Sequence, residues 1–193
     1  VQTEVKAWQP VTPSGVAAFS RASLRRLLLL QLLVAALAGG VVAWFLFACW
    51  FPTVRAALQH LPSKGEIRVG TLNWPGPSPA LLADGPFLAF SVDLDHSGRQ
   101  RSPAHVQCEF GRKDVRIYSL FGYAAFPYPK QWIIAFNRPE LEPWWGAWEP
   151  LLLWLAAAGT AGGLMAVWTM LATVYCGPLW LIAYFANRQL NLV

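Results

Sequence analysis

Charge is the scarcest commodity in this 193-residue chain: only 13% of its residues are Asp, Glu, Lys or Arg, against about 25% in ordinary soluble domains. With a mean hydropathy of +0.38, that deficit points to a membrane protein. Cysteine is scarce too. The three present form no CxxC pair, so no thiolate metal site announces itself, and Cys49 and Cys108 are expected to be buried and unpaired. No GxSxG, HExxH, Walker A or GxGxxG stretch occurs. The glycine-rich "GTAGGLM", Gly159–Met165, has no Lys-Ser/Thr after it and lies in an apolar run. No basic stripe with interleaved aromatics is present, so the net charge of +5 is not a nucleic-acid signal. These absences argue against an enzyme, a cofactor and a nucleic-acid partner.

What the chain does have is apolar residues in two blocks. The first, Leu27–Phe51, runs for 25 residues without a charge. About 20 apolar residues cross a hydrocarbon core, so this block spans with some tilt. It is too long for a signal-peptide core, and it ends in the bulky "FACWF" instead of a small-residue cleavage site. The second block, Leu151–Ala186, is interrupted by "CGP" at Cys176–Pro178. Proline removes a helix hydrogen bond and disfavours helix at the residue before it. The expected layout is a cytoplasmic segment 1–26, a transmembrane helix 27–51, an extracytoplasmic domain 52–150 and a second transmembrane helix 151–174. After a break, 175–193 would form an interfacial helix or the start of a truncated third span.

The flanks set the orientation. Arg21, Arg25 and Arg26 crowd the start of the first span, while Arg55 alone is close to its far end. The positive-inside rule places the N-terminus in the cytoplasm, with the arginines against anionic headgroups. Tryptophans mark the opposite boundary: Trp50 at the end of the first span, and Trp144, Trp145 and Trp148 before the second. Indole rings favour the membrane–water interface. Within the spans, Gly39 and Gly40, with Gly159, Gly162 and Gly163, offer small faces for close helix packing, with each other or with a partner's helices. Gln31 is the one polar residue deep in the first span. The lack of intramembrane charge argues against an ion path built by this chain alone.

Between the spans the texture becomes β-like, with short alternating runs divided by Gly, Pro and Asp. About five strands are expected, in a small β-rich (mostly-β or α+β) domain. "GEIRVGTLNW" reads as one strand with a bulge at Gly70, and "PSPALLADGP" as a loop. "FLAFSVDL" reads as a strand burying Leu88, Phe90, Val92 and Leu94 and exposing Phe87, Ala89, Ser91 and Asp93. "HVQCEF" and "DVRIYSLF" pair as a hairpin through "GRK", and "KQWIIAFN" is a last strand. Pro127, Pro129, Pro139 and Pro143 mark loops.

"DLDHSG" carries oxygen donors at Asp93, Asp95 and Ser97, the first half of a calcium loop. Ala104 stands where the bidentate Glu belongs, and Pro103 lies inside the loop. A strand exit with an Asp/Ser/Gly turn accounts for every residue. His60, His96 and His105 have no ligand spacing for zinc.

"GEIRVGTLNWP", "VDLDHSG" and "VQCEFGRKDVRI" resemble segments of uncharacterised bacterial inner-membrane proteins with a single extracytoplasmic insert between transmembrane helices. That resemblance implies an inner-membrane location and brings no catalytic residue with it. The plan is also similar to two-span sensor proteins, which continue into a cytoplasmic signalling helix. Here the sequence after Pro178 stays apolar, which fits a piece of a longer multi-span protein. The leading expectation is a non-enzymatic anchored protein. Its partners would be the lipid bilayer, other transmembrane helices and an envelope protein bound by the outward domain. The alternatives are a ligand-sensing module, or a subunit of a membrane enzyme or transporter.

Overall fold

The computed structural model describes residues 23–185. Two long apolar helices bracket a mixed-sheet domain, and both are long and apolar enough to cross a membrane. The first, α1, is Leu24–Phe45. A single π-helical turn, Leu46–Trp50, joins it to α2, Phe51–Gln59. In that turn the Phe51 N–H donates five residues back, to the Leu46 carbonyl. Pro52 follows, with no N–H for the ladder, which gives the widened turn its cause.

The last helix, α3, runs unbroken from Arg138 to Phe185. This corrects two expectations. Pro139 and Pro143 are not loop markers but lie in the first two turns of the helix. Asn137 caps it: the Glu140 N–H donates to Asn137 Oδ1 at 3.1 Å, and Asn137 Nδ2 donates to Glu140 Oε1 at 3.3 Å. A proline in the first turn costs nothing, because that turn's N–H groups lack helical partners anyway. Nor does the helix break at Cys176–Pro178; it continues to Phe185. One missing hydrogen bond is tolerated in an apolar helix, because unwinding would free several more backbone groups. Residues 186–193 lie outside the described residues.

Among the described residues eight strands form two sheets, three more strands than the alternation of the sequence suggests. A three-stranded sheet has the order β2-β1-β8, with β1 Glu66–Arg68, β2 Thr71–Asn73 and β8 Ile134–Ala135. "GEIRVGTLNW" is therefore a tight hairpin and not one bulged strand. Its two turn residues, Val69 (φ 51°) and Gly70 (φ 71°), both have positive φ, as the favoured two-residue hairpin turn demands. Glycine takes that conformation freely; the exposed, β-branched Val69 is strained in it.

The five-stranded sheet has the order β3-β4-β5-β6-β7. Its strands are β3 Ala80–Asp84, β4 Leu88–Val92, β5 Val106–Phe110, β6 Asp114–Ser119 and β7 Gly122–Pro127. β3 falls in a stretch that reads as a loop. β4 and β5 pair in parallel, while the expected hairpin joins β5 to β6. The apolar core lies between the sheets and includes Leu61, Ile67, Leu72, Leu82, Val92, Tyr128 and Phe136, with Trp74, Phe90 and Phe110 packed on it. Phe110 and Phe136 rings meet at 4.8 Å. Buried Tyr128 donates its hydroxyl to the Gly111 carbonyl at 3.1 Å, and burial pushes its pKa up.

Candidate functional site

The strand register sorts the five-stranded sheet into two unlike faces. One carries Leu88, Phe90 and Val92, then Val106, Cys108 and Phe110, then Val115 and Ile117. The other carries Ala89 and Ser91, then Gln107 and Glu109, then Arg116 and Tyr118. The second face is not the exposed surface that alternation in β4 predicts. Ser91, Gln107 and Glu109 are all buried, and hydrogen bonds tie this face to the segment from Asp93 to His105 that links β4 to β5.

At its centre one imidazole stands between two carboxylates. His96 Nδ1 lies 2.6 Å from Glu109 Oε1, and its Nε2 lies 2.9 Å from Asp114 Oδ1. Both contacts are hydrogen bonds when each ring nitrogen carries a proton. Tyr118 donates to Glu109 Oε1 at 3.3 Å, and Arg116 Nε to Asp114 Oδ2 at 3.2 Å. Glu109 is fully buried and its Oε2 has no hydrogen bond; the Arg101 guanidinium stands 3.6 Å away, over the Tyr118 ring at 3.8 Å. Burial raises the Asp114 pKa, but the bonds from His96 and Arg116 outweigh it and hold the carboxyl below its ordinary value. The ring rests against Gly111, where any Cβ would collide with it. His96 takes a positive φ of 52° to reach this place.

Asp93 is 1% exposed, so it is not a surface residue for a partner to read. Its Oδ2 accepts from Ser97 Oγ at 2.8 Å and from the Gly98 N–H at 3.1 Å. Desolvation raises its pKa, and these turn bonds reverse the shift to below the ordinary value. Asp95 points away, exposed, 3.6 Å from Arg112. Of the three calcium candidates only Asp93 and Ser97 meet, without Asp95, and among the described residues no group of three His, Cys, Asp or Glu could hold a metal. The histidines stay apart: His60 bonds the Ala56 carbonyl, and His105 the Pro86 carbonyl. Cys49, Cys108 and Cys176 are free thiols; burial pushes Cys108 up.

The boundary tryptophans divide. Trp144 and Trp148 are exposed, their rings 6.0 Å apart. Trp145 instead packs edge-on against Phe51 at 5.0 Å, and Trp50 is half-buried. Beside them Arg55 grips Glu149 through both carboxylate oxygens, Nε to Oε2 at 3.0 Å. α2 is thus clasped to α3. Arg25 and Arg26 are exposed at the start of α1; Arg21 lies outside the described residues.

Of the packing glycines only Gly39 is buried. Gly40, Gly159, Gly162 and Gly163 have open space where a side chain would go, so they do not pack against any other of the described residues. The shielded stripe of α3 is Ala156, Ala157, Thr160, Ala161 and Leu164, one helical step round from the glycines. On α1 it is Leu27, Gln31, Ala35, Ala38 and Gly39.

Two surface features complete the domain. A cleft of about 550 Å³ is lined by Lys64, Glu66, Asn73, Ile133, Asn137 and Glu140, among others. β7 is the bare edge of the larger sheet, all six residues exposed. The opposite edge, β3, packs against α2. Sequence reading missed β7 because "GYAAFP" alternates nothing and alanine has little strand preference. It missed the acid–histidine cluster too, although polar Gln107 and Glu109 alternating with Val106, Cys108 and Phe110 are its trace. Comparison with known protein families, curated proteins and solved structures gives no match to this chain.

Proposed function

We propose that this chain is a non-enzymatic, membrane-anchored protein whose mixed-sheet domain captures an extended strand of a partner protein along β7. In this reading α1 and α3 cross one bilayer, Arg25 and Arg26 hold the N-terminal side in the cytoplasm, and the domain faces outward. The observation that carries the partner-binding claim is the edge itself. Natural sheets guard bare edges with charge, bulges, proline or a covering element. β3 is covered by α2, whereas β7 has only Pro127 at its end, and Ile117–Pro127 holds no charged residue. A strand added there gains a ladder of main-chain hydrogen bonds.

The test is hydrogen exchange on the full-length protein in its native membrane and after purification in detergent. The β7 amides should be protected in the membrane and exchange fast once purified. Tyr123→Lys with Ala125→Lys should abolish the protection in the membrane without unfolding the domain. Equal, fast exchange in both settings overturns the reading.

A second reading, a ligand sensor, draws support from the cleft. Two of its lining residues, Asn137 and Glu140, are the cap of α3, so an occupant would touch the start of the helix that enters the membrane. Small-molecule binding lost in Glu140→Ala but kept in the β7 lysine variant would favour it.

A further inference from the structure

We infer that the β6–β7 hairpin tip, Leu120–Phe121, inserts into the outer leaflet of the bilayer that α1 and α3 cross; the inference rests on the membrane-spanning reading above. Phe121 is 100% exposed and Leu120 85%. A tight turn usually carries Gly, Asn, Asp or Ser. Here Gly122, with φ 113°, supplies the special conformation, yet the two residues before it are bulky and apolar.

The strand register shows which way this tip faces. Ser119 pairs with Val106, and Val106 lies beside Leu88. The tip, the entry to β5 and the entry to β4 therefore share one end of the sheet. Phe87 at that end meets Phe45 of α1 edge-on at 5.1 Å, and His105 stacks on Phe87 at 5.4 Å. At the same end Gly85 lies against Thr53 of α2. Phe45 is inside the apolar block Leu27–Phe51, and Thr53 is just beyond it. This end of the sheet thus abuts the helix where the span emerges. β6 stands two strand spacings from β4, about 10 Å to the side, so the tip is held at the same level, beside the helix.

The surroundings of the tip suit an interface. Tyr118 and Tyr123 flank it with rings 5.5 Å apart. Arg101, Ser102, His105 and Ser119 line a polar depression of about 370 Å³ that Leu120 borders. Amphipathic rings and a cation above two apolar side chains match the headgroup-to-acyl transition. No carboxylate occurs from Ile117 to Pro127 to oppose anionic lipid.

The experiment uses the full chain, its three cysteines replaced by serine, in vesicles of phosphatidylcholine and phosphatidylglycerol. Single cysteines at Phe121→Cys, Ala125→Cys and Leu37→Cys carry a fluorophore read against a doxyl-labelled lipid and against aqueous iodide. The inference expects position 121 to be quenched several-fold more by the lipid than position 125, and shielded from iodide. Position 37 reports the spanning reading. If 37 is lipid-quenched while 121 is quenched by iodide, the tip inference fails and the span stands. If 37 is open to iodide, the spanning reading itself fails. Shielding of 121 from both quenchers means protein covers the tip, and that also overturns the inference.

Discussion

The central strands β4 and β5 are covered on both faces, but the two faces are held by different physics. The apolar face packs Phe90, Phe110 and Val92 into a core with Phe136 and Trp74. The polar face buries Ser91, Gln107 and Glu109 under one connecting segment: Gln107 bonds Ser91, Gln100 and Ser102, and Glu109 meets His96, Tyr118 and Arg101. The first face tolerates any good filling of its volume. The second demands specific partners, because a buried charge without one is costly. The contrast teaches that alternation along a strand reports chemistry, not exposure: Asp93 and Ser91 read as surface and are among the most buried side chains in the domain.

Breaking the apolar face should have the largest effect. Phe136→Ala is expected to destabilise the domain by about 3–5 kcal/mol, read by urea unfolding of the full-length protein in detergent. Breaking the polar face comes next: Glu109→Ala leaves His96 with Asp114 alone, takes the acceptor from Tyr118, and should cost about 3 kcal/mol. The comparison sharpens in the Glu109→Leu, His96→Leu double variant, which should recover most of that loss; a double variant worse than the single would show that the cluster stabilises the fold in its own right.

Acid should attack the polar face and not the apolar one. Asp93 and Asp114 have pKa values lowered by folding, so the folded state binds fewer protons than the unfolded one. Their stabilisation is complete above the ordinary carboxylate range, about pH 4, and is lost as pH falls through the lowered values. The unfolding midpoint of wild type should fall in that window, and Asp93→Asn and Asp114→Asn should each flatten the fall. At the base of the domain, Arg55→Ala removes a partly exposed ion pair and should cost about 1 kcal/mol or less, weakening further in salt. Smallest is Phe121→Ser, within about 0.5 kcal/mol in detergent, because the fold does not use that ring.

Much of this architecture is legible in the residues. Leu27–Phe51 and Leu151–Val174 read as apolar helices because length and the lack of charge are local properties. β4, β5 and β6 read as strands because they alternate, and "GRK" reads as their turn. Other elements depend on distant contacts. β3 and β7 are recruited by their neighbours' hydrogen bonds, not by their own weak patterns. Pro143 and Pro178 read as helix breakers because a sequence shows the missing N–H and not the long helix, Arg138–Phe185, whose remaining hydrogen bonds carry the chain past it. The His96 cluster joins residues from the β4–β5 connection, β5 and β6, and no spacing rule brings those together.

The central claim is that an outward domain is anchored by two spans. Cysteine accessibility in intact cells tests it most directly, with the native cysteines replaced and a membrane-impermeant maleimide as the label. Asp95→Cys, on the exposed turn of the domain, should label at once, and Ser23→Cys, before α1, only after permeabilisation. The reverse pattern, or free labelling of both in a chain recovered from the soluble fraction, would contradict the account.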